Sequence, residues 1–144
     1  MNKMAINFSN DHIVFNLKNK ARLKLWITAV VKKEKLKLKQ LNYNFMSDES
    51  LLKINKEYLK HNTYTDIITF NYNEGKEIAG DIFISIDRVK ENAGKFGVKF
   101  EEELHRVMIH GVLHLCGYKD KTKTDSVLMR KKENASLRLL NKAK

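Results

Sequence analysis

The segment EEELHRVMIHGVLHLCG, residues 101–117, constrains the fold more than any other stretch of the chain. Glu101, Glu102 and Glu103 stand where the positive end of a helix dipole favours acidic side chains. Gly117 stands where helices commonly end on a left-handed residue. The residues between are apolar on nearly every side, which predicts a helix running through the interior. A chain that buries such a helix must wrap its other elements around it.

Those elements mix strands and helices. INF near residue 7 reads as a short first strand. Leu23, Trp26, Ile27 and Val30 recur at i, i+3, i+4 and i+7, the pattern of an amphipathic helix. QLNYNFMS alternates Leu41, Tyr43 and Phe45 with Asn42 and Asn44, as a strand with one wet face does. Ser47 and Asp48 supply a cap and a first-turn acid for a helix through ESLLKINKEYL. DIITFNY and IAGDIFISI read as strands joined across GKE, the second expected to be buried on both faces because almost every position is apolar. DRVKENAGKFG is a short helix closed by Gly97, and a capped helix through TKTDSVLMRKKENASLRLLNK ends the chain. There is no proline, no repeat and nothing resembling a linker. The expectation is one domain over residues 1–144, an α/β fold with a small mixed sheet of about four strands covered by about five helices.

Within the buried helix, His110 and His114 are four residues apart and so are neighbours on its surface, with roughly 5–6 Å between Cβ atoms. Gly117 lets the chain reverse, and three more residues bring Asp120 back toward the imidazoles. Two imidazoles and a carboxylate suit zinc with a fourth position left open, the pattern of a catalytic site, on the buried helix and its return loop. Iron or manganese suits the same set. The spacing also resembles the metzincin protease signature, but Gly111 stands where that chemistry needs a glutamate base, which argues against a protease. His105 lies about half a rotation away from the pair on an ideal helix and reads as a surface or satisfied histidine. Cys116 reads as a small buried hydrophobe. No Walker A motif, dinucleotide fingerprint or nucleophile elbow is present.

Composition narrows the partners. The formal net charge is +11, which favours a polyanionic partner such as nucleic acid. Only Arg22, Arg88, Arg106, Arg130 and Arg138 among the 28 basic residues are arginine, so much of the excess is surface lysine. A single cysteine excludes an internal disulfide and fits a reducing compartment. The first residues, MNKMAINFSN, lack a signal-peptide core, and no apolar run approaches the roughly 18 residues that span a bilayer. A cytoplasmic protein without a membrane partner is expected.

Three blocks of the chain together resemble the YbeY family of metal-dependent rRNA-maturation endoribonucleases. HGVLHLCGYKD is similar to the family's H-G-x-L-H-L-x-G-Y-D-H at His110, Gly111, Leu113, His114, Leu115, Gly117 and Tyr118. INKEYLKHNTYTDIITF resembles L-N-x-x-Y-R-x-x-D-x-P-T-D-V-L-S-F at Asn55, Tyr58, Thr65, Asp66 and Phe70. AGDIFIS resembles L-G-D-I-x-I-S at Gly80, Asp81, Ile82, Ile84 and Ser85. The family's third histidine falls on Asp120, and the arginine after the family tyrosine is Leu59. The family's aspartate falls on Asn62 and its proline on Tyr64.

The resemblance implies a single-strand-specific, zinc-dependent endoribonuclease in 16S rRNA 3′-end maturation and ribosome quality control, with rRNA and the small ribosomal subunit as partners. His110, His114 and Asp120 are then the metal ligands. Asp66 and Asp81 are candidates for the general base, each also readable as a turn or capping residue. Lys60 is a candidate phosphate contact, without the fork geometry of an arginine. Tyr64 and Tyr72 are available to stack a base but read first as packing residues, and Asn55 reads as a buried hydrogen-bonding group. The alternative is a ribosome-assembly factor that binds rRNA or a ribosomal protein and keeps its metal for structure.

Overall fold

The computed structural model describes residues 5–142. The expected domain spans 1–144, and residues 1–4 and 143–144 lie outside the described part. The elements follow the order expected from sequence: β1 (Ile6–Asn10), α1 (Lys20–Lys33), β2 (Lys37–Met46), α2 (Asp48–Leu59), β3 (Ile67–Asn71), β4 (Glu77–Ser85), α3 (Ile86–Phe96), α4 (Phe100–Leu115) and α5 (Lys123–Lys142). The strands form one sheet in the order β1-β2-β4-β3. β1, β2 and β4 run parallel, and β3 returns antiparallel to β4 at one edge. The sheet is therefore mixed, and the described residues form four strands and five helices.

Strand periodicity sorts side chains between the two faces. Leu41, Tyr43 and Phe45 of β2 stand opposite Gly80, Ile82 and Ile84 of β4, and all these positions are buried. α4 packs on this face, and two glycines set how closely. A Cβ on Gly111 would lie 2.8 Å from the Ile82 side chain and 3.0 Å from that of Ile67. One on Gly80 would lie 2.9 Å from Leu115 and 2.7 Å from the Phe70 carbonyl oxygen. The helix rests almost on the strands because neither contact carries a side chain.

The opposite face is built differently. Met46, Leu51 and Ile68 form a small second cluster under α2, joined by Ile54, Phe70 and Phe83. Beyond that cluster the face is polar, with Asn7 donating to Asn42 and Asn42 donating to Asp81, each at 3.0 Å. β4 is thus not buried on both faces: its burial alternates, with Asp81 and Phe83 only half-buried. Nearly continuous apolar sequence overstated the burial because α2 covers only part of that side.

Local signals account for the helix ends. Ser47 Oγ accepts from Ser50 N–H at 3.2 Å and Gly97 closes α3 at φ 68°. Asn55 is 3% exposed and its side chain donates to the Thr63 carbonyl at 2.8 Å, as a buried polar group must. α5 docks against α1 partly through Trp26, whose indole N–H donates to the Ser136 carbonyl at 2.7 Å.

Candidate metal centre

His110 and His114 lie on the last two turns of α4, and their rings meet edge to face with centroids 4.6 Å apart. The chain then reverses at Gly117, where φ is 108°, a conformation L side chains rarely adopt. Tyr118 N–H donates back to the Leu113 carbonyl at 3.0 Å, and its hydroxyl donates to Glu34 of the loop after α1 at 2.7 Å. Ser126 Oγ donates to the Asp120 carbonyl at 3.1 Å. These contacts hold the return loop so that the Asp120 carboxylate faces both imidazoles. Its Oδ2 lies 3.2 Å from His110 Nε2 and 3.3 Å from His114 Nε2. The three ligand atoms lie within 4.8 Å of one another.

A carboxylate behind the first histidine completes the arrangement. Glu133 of α5 accepts from His110 Nδ1 at 2.6 Å, which leaves Nε2 free to point at the shared position. Arg106 Nη1 donates to Glu133 at 2.9 Å, and its Nη2 donates to Asn134 at 2.9 Å. Burial opposes the charge on His110, but the hydrogen bond and charge of Glu133, with Asp120 and Asp66, raise its pKa above the ordinary histidine value. Burial likewise opposes the Glu133 carboxylate, yet His110 and Arg106 hold its pKa below the usual range. Nitrogen and oxygen donors converging on one point, with a carboxylate orienting one imidazole from behind, fit a divalent cation.

The triad forms the end wall of a cleft of about 590 Å³, bordered on its other sides by the α2–β3 loop and β3. Asp66, just before β3, lines it, and burial raises its carboxyl above the usual carboxylate range although His110 pulls the other way. Leu59 and His61 also line it, whereas the intervening Lys60 does not. Lys60 instead forms the left-handed cap of α2 at φ 59°. Asp81 lies behind the sheet. Gly80 faces Leu115 of α4, so its neighbour in the strand faces the opposite side, where Asp81 meets Asn42. The structure therefore brings His110, His114, Asp120 and Asp66 together and leaves Asp81 and Lys60 outside the cleft.

Several expectations change in detail. Tyr64 and Tyr72 are 48% and 56% exposed rather than packed in the core. Tyr64 donates to Glu49 at 2.6 Å and lies under the Arg88 guanidinium. His105 is half-buried, with its ring edge-on to that of Trp26 at 6.1 Å between centroids. Cys116 is half-buried beside the core, which pushes its thiol up to about 12. Sequence reasoning missed Glu133, though a signal existed. Met129, Glu133, Ser136 and Leu140 are the buried residues of α5, and a glutamate at apolar helical spacing calls for a buried partner.

Comparison with known proteins agrees with this geometry. The family model described as Endoribonuclease YbeY matches residues 5–141. A relative from Flavobacterium psychrophilum with that name is 51% identical over 132 residues, covering 92% of this chain and 94% of the relative. A second, from Cytophaga hutchinsonii, is 49% identical, with 96% and 98% covered. The solution structure of a Thermotoga maritima protein superposes with a TM-score of 0.63 at 28% identity, covering 94% of this chain and 88% of that one. Similarity at this level over nearly the whole length, with the donor cluster at the end of α4, means that the chain belongs to the YbeY endoribonuclease family.

Proposed function

We propose that the protein is a metal-dependent endoribonuclease that cleaves single-stranded segments of rRNA, and that His110, His114 and Asp120 hold the ion. The observation that carries this reading is the convergence of those three donors in an open cleft, with Glu133 locking His110 from behind. Neutral imidazoles and one carboxylate suit zinc, and iron or manganese accepts the same set. Bound there, a divalent cation supplies Lewis acidity toward a phosphodiester oxygen.

The chain's own residues do the rest. Glu133 fixes the tautomer and orientation of His110. Asp66 is the cleft carboxylate left outside the triad, and we assign it the proton of the attacking water or 2′-hydroxyl. Thr69 and Asn71, on the strand wall of the cleft, offer polar groups to the sugar-phosphate backbone. We further propose the 16S rRNA 3′ end as substrate, the small ribosomal subunit as the setting and the cytoplasm as the location. No helix among the described residues is long and apolar enough to cross a membrane.

The assembly-factor alternative needs the metal for folding. Against it, the triad lines an open cleft, with the Asp120 side chain 42% exposed, while the main core is assembled from other residues. The test is metal content by mass spectrometry and cleavage of an unstructured RNA, on wild type and Asp120→Ala. Close to one zinc per chain with cleavage, both lost in the variant while folding persists, is the expected result. Cleavage that survives complete chelation would overturn the metal assignment. Unfolding on chelation would favour the structural role.

A further inference from the structure

The triad is approached from two sides. Beyond the cleft that holds His61 and Thr65 lies a second one of about 300 Å³. Glu103, Arg106 and His110 of α4 line it, together with Phe96 from α3 and Arg130 from α5. The two clefts share Asp66, Ile67, His110 and Asp120, so the metal centre stands where they meet.

Two side chains of the second cleft are largely exposed. Phe96 is 59% exposed, although burying a ring of that size is ordinarily favourable. The Arg130 side chain is also 59% exposed, and its ion pair with Glu133 is long at 3.8 Å. Arg106, in the same cleft, is by contrast committed to Glu133 and Asn134 at 2.9 Å. The carboxylates nearby do not repel a phosphate as strongly as their number suggests. Glu133 is paired with Arg106 and His110, Asp120 faces the histidines, Glu103 is 5% exposed, and Asp66 lies at the end that the two clefts share. An accessible aromatic ring and an accessible guanidinium in one cleft are the groups that take a nucleotide, the ring stacking on the base and the guanidinium gripping the phosphate.

We propose that the RNA strand crosses the metal centre from one cleft to the other, with the nucleotide beyond the scissile phosphate seated in the second cleft on Phe96 and Arg130. The proposal rests on the endoribonuclease reading. It makes these two residues substrate-positioning groups, and it requires at least one nucleotide on each side of the cleaved bond.

The test compares wild type, Phe96→Ala, Arg130→Ala and Arg138→Ala, the last an exposed arginine on the same helix outside the second cleft. Thermal unfolding and metal content check that each variant is folded and loaded. The probe is an unstructured, end-labelled RNA, read for cleavage and for affinity by fluorescence anisotropy. Phe96→Ala should lower kcat/KM about tenfold, and an abasic nucleotide at the matching position should abolish the difference from wild type. Arg130→Ala should raise KM and reduce the slope of log affinity against log salt by about 1, with Arg138→Ala nearer to wild type. Wild-type kinetics and affinity in both cleft variants would overturn the proposal while leaving the nuclease reading intact. Equal losses in Arg130→Ala and Arg138→Ala would reduce the contact to general charge and overturn it too. A loaded wild type that binds RNA without cleaving it would instead sink the nuclease reading, and the affinity of the variants would still decide the cleft.

Discussion

α4 carries three histidines, and its two sides treat them in opposite ways. On the side toward the cleft, His110 meets Glu133 and Asp120, and its charged form is favoured despite burial. On the side toward α1, His105 lies against Trp26, and burial with the nearby Arg22 charge disfavours the charged form, with Glu101 only partly opposing. Between these sides run Leu104, Met108 and Val112, none more than 1% exposed. One helix is thus both the spine of the core and the floor of the site. A histidine's chemistry on α4 is set by what other elements bring to it, α5 and the return loop to His110 and α1 to His105.

If that division holds, damage on one side should leave the other intact. The largest effect is expected from Asp66→Asn, which keeps the shape of the cleft wall but removes a proton acceptor. RNA cleavage should fall by about 10²–10⁴, with metal content unchanged. Asp81→Asn, behind the sheet against Asn42, should cleave within about twofold of wild type under the same single-turnover assay, as its separation from the cleft requires. Equal losses in the two variants would mean that the sheet does not insulate its faces.

Met108→Ala attacks the spine. Met108 is 0% exposed, and its carbonyl accepts from the buried Tyr43 hydroxyl at 2.9 Å. Truncation should cost about 2–5 kcal/mol in urea unfolding, while metal affinity of the folded variant stays close to wild type. A matching collapse of metal binding would show that core and site are one unit. Glu133→Gln works in the other direction. The amide still accepts from His110 Nδ1 but no longer strengthens the imidazole, so metal affinity should drop about 10–100-fold in a chelator competition. An unchanged affinity would reduce Glu133 to a structural partner of Arg106.

The triad was legible because it is local. His110, His114 and Asp120 fall within eleven residues, and helix periodicity with one reversing glycine brings them together. The element order was legible for the same reason, since the Ser47 cap, alternating strands and Gly97 each act over a few positions. What remained hidden depends on long-range docking. Glu133 reaches His110 across 23 residues of sequence, and only the packing of α5 on α4 decides that they meet. The alternation of Asp81 with Gly80 and Ile82 was readable, but not which sheet face receives the histidine helix. The position of Lys60 was hidden for a subtler reason. The left-handed turn that ends α2 leaves it outside the cleft between two residues that enter, and residue type alone does not encode that direction.

The smallest effect tests the core side of α4 by pH. The folded pKa of His105 is lowered from 6.5, first by burial and then by Arg22, with Glu101 opposing. Below about pH 6.5 the unfolded chain therefore takes up a proton that the folded one refuses, so the unfolded state binds more protons and stability falls as pH drops. The contribution is intact above 6.5 and erodes by at most about 1.4 kcal/mol per pH unit until the folded value is reached. His105→Phe keeps a ring against Trp26 and removes the titration. The difference in unfolding free energy between wild type and variant should be flat above pH 7 and should turn against wild type below 6.5. His110, raised by Glu133, contributes the opposite slope to both proteins and cancels from that difference. A difference that stays flat down to pH 5 would mean that His105 is as well solvated as an exposed histidine, and that the contrast between the two sides of α4 is one of partners alone rather than of burial.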